Sequence, residues 1–118
     1  MSACPAGWKL PNNDDWDNLM TAVGGSSTAG TKLKSRTGWF TGSGYIAGTD
    51  DYGFSALPGG GRWLDGNFDY VGDFGHWWSA SEDNESYADC RRMFFHHEYV
   101  PANTRNKANG FSVRCVRD

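Results

Sequence analysis

The spacing of apolar positions along this chain changes once. Trp16, Leu19, Met20 and Val23 fall at i, i+3, i+4 and i+7, the stripe of an amphipathic helix. Asn12 or Asn13 after Pro11 supplies the N-cap, Asp14 and Asp15 complement the positive end of the helix dipole, and Gly24-Gly25 ends the segment. The acidic pair is thus a helix-start signal before it is a metal or catalytic site. A second, shorter helix is expected over Thr28 to Lys34, with Ala29 and Leu33 facing inward and Gly30 weakening it. From Gly38 onward aromatic runs are separated by Gly, Asp and Asn. Trp39-Phe40, Tyr52 to Pro58 and Gly60 to Trp63 predict short strands or pinned loop pieces joined by turns. His76 to Ser81 predicts a strand, Glu82 to Glu85 a polar turn, Ser86 to Phe95 the next strand, and Asn103 to Asn109 a polar loop. The closing segment alternates Phe111, Val113 and Cys115 against Ser112, Arg114 and Arg117, the period-two signature of a half-buried strand, broken at Val116.

Both ends carry one cysteine and an apolar pattern, so they are expected to meet. A Cys4–Cys115 disulfide would close a loop of about 110 residues and contribute roughly 4 to 5 kcal/mol by the chain-entropy argument. The competing reading is two unrelated buried thiols. Of three cysteines, Cys90 is then the odd one. The 118 residues make one domain with a single core, which must carry any site. Eighteen aromatics and sixteen Gly beside five Leu and one Ile describe a core built from rings and spaced by turns rather than a helical bundle. The net charge of −3, with both signs interspersed, gives no reason to expect nucleic acid or an anionic membrane as partner. No apolar run reaches the length of a membrane span, and Met1-Ser2-Ala3 is neither a signal peptide nor a lipidation motif, so the start reads as a module boundary.

Several blocks together carry a family resemblance. Cys4-Pro5-Ala6-Gly7-Trp8-Lys9-Leu10-Pro11 precedes the acidic helix with Trp16. Then come Ala29-Gly30 with Leu33-Lys34, Asp51 to Gly60, Trp77-Trp78-Ser79-Ala80-Ser81-Glu82 and Gly110 to Val116. In this order, over nearly the whole chain, they resemble the Fibrobacter succinogenes major paralogous domain, a branch of the C-type lectin-like fold near the formylglycine-generating type. The resemblance implies an α+β domain with paired N- and C-terminal strands, long irregular loops over small antiparallel sheets, and residence in bacterial (or phage-associated) surface or secreted proteins. The chain also resembles the variable proteins of diversity-generating retroelements, whose C-terminal stretch, similar to Trp77 to Val116 here, is mutated to change ligand preference. That likeness implies framework positions at Tyr87, Ala88, Arg91, Val100, Lys107, Gly110, Phe111, Val113 and Cys115. Asp89, Cys90, Arg92, Phe94, His96, His97, Glu98, Pro101 and Ala102 depart from the pattern.

Alternation turns this into a geometric expectation. If Tyr87, Arg91, Met93 and Phe95 share the framework face, Cys90, Arg92 and Phe94 share the opposite face and are displayed. The expected ligand-binding set is Cys90, Arg92, Phe94 and His96 with the following loop, which carries His97, Tyr99, Arg105 and Asn106. Arg, Phe, His and Tyr offer a charged fork, ring faces and adaptable hydrogen bonds, suited to a protein or carbohydrate ligand on a cell surface. The competing reading of Phe94 is an ordinary core ring.

Other chemistry is poorly supported. Adjacent His96 and His97 on a strand would point to opposite faces and could not share one zinc ion. Asp50-Asp51 and Glu82-Asp83-Asn84-Glu85 offer oxygen ligands for a structural calcium, while the carboxylate motifs of calcium-dependent sugar binders are absent; Val100-Pro101-Ala102-Asn103 is the nearest string. No other cofactor is implied. A formylglycine-generating-like enzyme needs a cysteine pair, and only Cys90 remains once the ends are bridged. No Ser, His and Asp sit in a recognisable triad context. Gly59-Gly60-Gly61-Arg62 lacks the lysine and helix of a phosphate loop. The expectation is a non-enzymatic binding module, with an enzyme or a purely structural domain of a larger surface protein as alternatives.

Overall fold

The computed structural model describes residues 3–118; Met1 and Ser2, on which the boundary reading partly rests, lie outside the described residues. Within them the chain forms two helices and seven short strands, an α+β arrangement. The first helix, α1 (Asn13–Ala22), follows the short strand β1 (Trp8–Lys9) and starts as its sequence dictates. The Asn12 side chain accepts from the Asp15 N–H and the Asp15 carboxylate accepts from the Asn12 N–H, a reciprocal capping box. Trp16, Met20 and Val23 are buried. The second helix, α2 (Ala29–Leu33), includes Gly30 for a reason its helix propensity hides. A Cβ there would meet the Glu98 carbonyl oxygen at 2.6 Å, and the Gly30 N–H donates to that same oxygen at 2.7 Å.

Three small antiparallel sheets follow. The strands β2 (Gly61–Arg62) and β3 (Phe68–Asp69) pair with each other. The principal sheet consists of β4 (Phe74–Glu82), β5 (Tyr87–Phe94) and β6 (Ala102–Asn106), in that order. The last strand, β7 (Val116–Arg117), pairs with β1. Beside that pair Cys4 is disulfide-bonded to Cys115, so the chain ends meet as expected. No helix of the described residues is long and apolar enough to cross a membrane, and the disulfide suits an oxidising compartment.

Four expectations need correcting. Residues 103–109 were expected as a polar loop, yet Ala102–Asn106 is a strand, because the free edge of β5 supplies backbone partners that outweigh the low strand propensity of Asn. Residues 111–115 form no continuous strand. Gly110 bridges Arg62, Ser112 bridges Trp77, and Val113 is exposed, so the segment stitches β2 to β4 instead of burying one alternating face. The strand expected to end at Phe95 ends at Phe94, which places His96 in a turn and His97 in the irregular stretch after it. The fourth correction concerns the rings: among the described residues the buried core holds three of them, Trp16, Trp39 and Trp77, alongside Met20, Val23, Ala29, Leu33, Ala56, Met93 and Val100, with Tyr45, Phe54 and Phe95 packed against it half-buried.

One charge lies inside this core. Lys34 is fully buried, and its ammonium donates to the carbonyls of Phe94, Ile46 and His97 at 2.8, 3.0 and 3.3 Å. Burial pushes its pKa down to about 8, with Glu98 acting in the opposite direction. The three acceptors tie the end of β5 and the following turn to the loop through Ile46.

Candidate functional site

The register of the principal sheet decides which side chains meet. His76 lies opposite Arg92, Phe74 opposite Phe94 and Trp78 opposite Cys90, while Cys90 lies opposite Asn103 and Ala88 opposite Arg105. With side chains alternating along each strand, one face therefore presents Phe74, His76, Trp78, Cys90, Arg92, Phe94, Asn103 and Arg105. The other face packs on the helical side: Met93 is in the core, and Arg91 is buried and paired with Asp17 of α1.

Loops complete the first face as a pocket of about 560 Å³ lined by Trp63, Asp65, Asp69, Tyr70, Phe74, His76, Arg92 and Arg105. Gly60 makes the loop wall possible. Its φ is +64°, and a Cβ there would stand 2.2 Å from the Asp69 carbonyl oxygen. The rings interlock, with Tyr70 stacked on Phe74 at 4.8 Å and Trp63 edge-on to Phe74, His76 and Phe111. Phe111, carried in by the stitching segment, stacks under His76 at 4.4 Å.

The polar groups of this face are short of partners. Buried atoms without a hydrogen bond include both ring nitrogens of His76, Nε of Arg92, Nε1 of Trp63 and Nδ2 of Asn103. Each orphaned donor costs about 1–3 kcal/mol. Burial, reinforced by the Arg92 and Arg105 charges, drives the His76 pKa down to about 3, so the ring is neutral at pH 7 and carries one N–H. Arg92 lies over the Phe94 ring at 4.2 Å, and its pKa is lowered by burial and then by Arg105. Neither Arg92 nor Arg105 has an ion-pair partner among the described residues, whereas Lys9, Arg91 and Lys107 do.

The expected site residues divide accordingly. Arg92, Phe94 and Arg105 are brought to one face, and Phe94 connects them to His96, His97 and Tyr99, whose rings run on at centroid distances of 4.1 Å and 4.6 Å. The two histidines are thus neighbours just past the end of β5, not opposed on a strand. Burial lowers the His97 pKa, with His96, Arg92 and Lys34 adding to the shift. Cys90 shares the face but is not displayed: it is only 1% exposed, flanked by Trp78 and Asn103 on the neighbouring strands. Burial pushes its pKa up to about 11, so the thiol is un-ionised at pH 7. Asn106 lies opposite Tyr87 and so belongs to the other face, where its carboxamide oxygen accepts from the Ala108 N–H. Tyr87, expected among the framework residues, is exposed. Asp89, expected among the departing positions, is a brace, accepting from Asn13 at 2.6 Å and Thr104 at 2.9 Å.

Trp63, Tyr70, Phe74 and His76 line the pocket without having been among the expected residues, whereas Asn103 falls within the expected loop from His97 to Asn106. Phe74, His76 and Trp78 had a usable signal, a period-two aromatic row on one strand. Trp63 and Tyr70 had none, since only the loop path brings them over the sheet. A second cavity, of about 360 Å³, lies by the terminal strands among Trp8, Trp16, Leu19 and Phe54. Its cations are already engaged, Arg114 over Phe54 and Arg117 over Trp8. Among the described residues no three His, Cys, Asp or Glu side chains gather as they would around a metal ion. Of the proposed calcium ligands, Asp50 is occupied in accepting from the N–H and hydroxyl of Ser55.

A disulfide-closed α+β domain whose principal sheet floors a ring-walled pocket is thus the class of protein defined. The chain belongs to the Fibrobacter succinogenes major domain family, whose family model matches residues 1–117. Neither a curated protein nor a solved structure matches it.

Proposed function

We propose that this domain is a non-enzymatic ligand-binding and display module of a bacterial or phage-associated surface protein, taking a protein or glycan into the pocket over the principal sheet. The observation carrying this reading is the set of buried donors around Arg92 that have no partner within the protein, beside a wall of rings. A purely structural domain would gain nothing from leaving them unpaired. Exposed Leu64, Phe68, Tyr70 and Val71, on and beside the hairpin that walls the pocket, extend the apolar surface a partner would cover. A C-type lectin-like fold is supported by the disulfide-tied terminal strands, the two helices and the small antiparallel sheets under long loops.

Cysteine chemistry of the formylglycine-generating kind is disfavoured, since Cys4 and Cys115 bond to each other and Cys90 is a buried thiol. A second reading, a variable protein of a diversity-generating retroelement, is favoured by one observation. Arg92, Phe94, Asn103 and Arg105 all come from the variable-like segment, while Arg91 and Met93, the neighbours of Arg92 on the same strand, are buried. An adenine-rich near-repeat of this coding segment beside a reverse transcriptase gene would support that form, and its absence would remove it.

Glycan and cell-surface protein arrays probed with wild type and with the Arg92→Ala, Phe94→Ala double variant test the binding reading. The expected result is a bound ligand whose retention falls at least about tenfold in the variant, the loss of a charged and an aromatic anchor. A ligand bound equally by both proteins places the site elsewhere.

A further inference from the structure

Resting on the binding reading above, we propose that the pocket recognises a carboxylate-bearing sugar, with Arg92 and Arg105 taking the carboxylate and the Trp63, Tyr70 and Phe74 rings taking the face of the sugar ring. Donors outnumber acceptors at the sheet end of the pocket. Arg92 Nε, Asn103 Nδ2, Trp63 Nε1 and the single N–H of neutral His76 are all buried without an acceptor. Two guanidiniums stand on this face without a carboxylate partner among the described residues. An incoming anion supplies the charge that the two pocket-lining guanidiniums lack, and a carboxylate matches the planar fork of arginine.

Acidic groups in the lining narrow the class of anion. Asp65 and Asp69 also line the pocket, and neither is ion-paired with Arg92 or Arg105. Asp65 accepts from the backbone and side chain of Asn67, which leaves Asp69 as the lining carboxylate without a hydrogen-bond or ion-pair partner among the described residues. Each further negative charge on an anion is repelled by these carboxylates, which favours a singly charged carboxylate over a doubly charged phosphate. Hydroxyls on the same ring can donate to Asp69.

The wall distinguishes a sugar from an acidic peptide. Tyr70 and Phe74 stack with an interplanar angle of 25°, and Trp63 stands at 76° and 60° to them, so ring faces meet at a corner. Sugar C–H groups, slightly positive, pack against such faces. The volume of about 560 Å³ lies within the usual range for small-ligand pockets.

The test is a ¹H–¹⁵N NMR titration of the whole chain with methyl β-glucuronide, methyl β-glucoside, acetate and N-acetylalanine, each as a separate probe. The glucuronide is expected to shift the side-chain signals of Trp63, Arg92 and Asn103 saturably, and to bind at least about tenfold tighter than the other three. Arg92→Lys and Arg105→Gln should each weaken it about tenfold while signal dispersion shows an intact fold. Equal binding of the glucoside, tighter binding of N-acetylalanine, equal binding of acetate, or no saturable shift each overturns the proposal. If the arrays yield a neutral glycan or a protein lost in the Arg92, Phe94 variant while the glucuronide does not bind, the binding reading stands and this one falls. Failure in both experiments removes both.

Discussion

His76 shows how much a single residue depends on its surroundings here. In sequence it is a polar interruption between Gly75 and Trp77; in the fold it is a buried, neutral ring stacked on Phe111 and edge-on to Trp63. Its folded pKa of about 3 lies below the ordinary 6.5. Between those values the unfolded chain takes up a proton that the native state refuses. Stability is therefore full above pH 6.5 and falls as pH drops toward 3. From pH 7 to pH 5 this linkage removes about 2 kcal/mol. Urea midpoints at the two pH values should show that loss in wild type and a much smaller one in His76→Phe, which keeps the ring contacts without the titration. Burial shifts His97 in the same direction, but it is present in both proteins and cancels in the comparison. An unchanged pH dependence in the variant would show that His76 does not titrate in this way.

At the scale of elements, the docking of α1 on the principal sheet depends on polar pins as much as on Trp16 and Met20. Asn13 at the start of α1 accepts from the Ser79 hydroxyl of β4 at 2.7 Å and donates to Asp89 of β5 at 2.6 Å, and Asp89 in turn accepts from Thr104 of β6. One helix-start residue thus touches or braces all three strands. Asn13→Ala is expected to cost about 2–3 kcal/mol, one neutral and one charge-assisted hydrogen bond. Asn18→Ala, at an exposed position of the same helix, should stay within about 0.5 kcal/mol of wild type. Equal effects in chemical denaturation would mean the pins contribute nothing. The helix boundaries were legible because their signals are local: an Asn cap before an acidic first turn, an i, i+3, i+4 stripe and a double glycine. β6 was not, because the Asn-rich segment becomes a strand only by completing the edge of β5.

For the whole molecule, the Cys4–Cys115 bridge closes nearly the full chain, with a sequence separation of 111. Reduction should lower the unfolding free energy by about 4–5 kcal/mol. Thermal denaturation with and without reductant, and of Cys4→Ala with Cys115→Ala, checks this; two reactive thiols in the folded, unreduced protein would deny the bridge altogether.

The sequence alone determined the first helix, the meeting of the chain ends and the family, because those features follow from periodicity and ordered motifs. Tertiary structure decided which faces of β5 and β6 are buried, and so turned Cys90 inward, sent Asn106 to the far face and brought Arg105 to Arg92. It also decided the use of the aromatic residues. Their abundance reads as core in a composition, yet Trp63, Tyr70 and Phe74 wall a pocket while Trp16, Trp39 and Trp77 are core, since where a ring ends up depends on what the rest of the chain places over it.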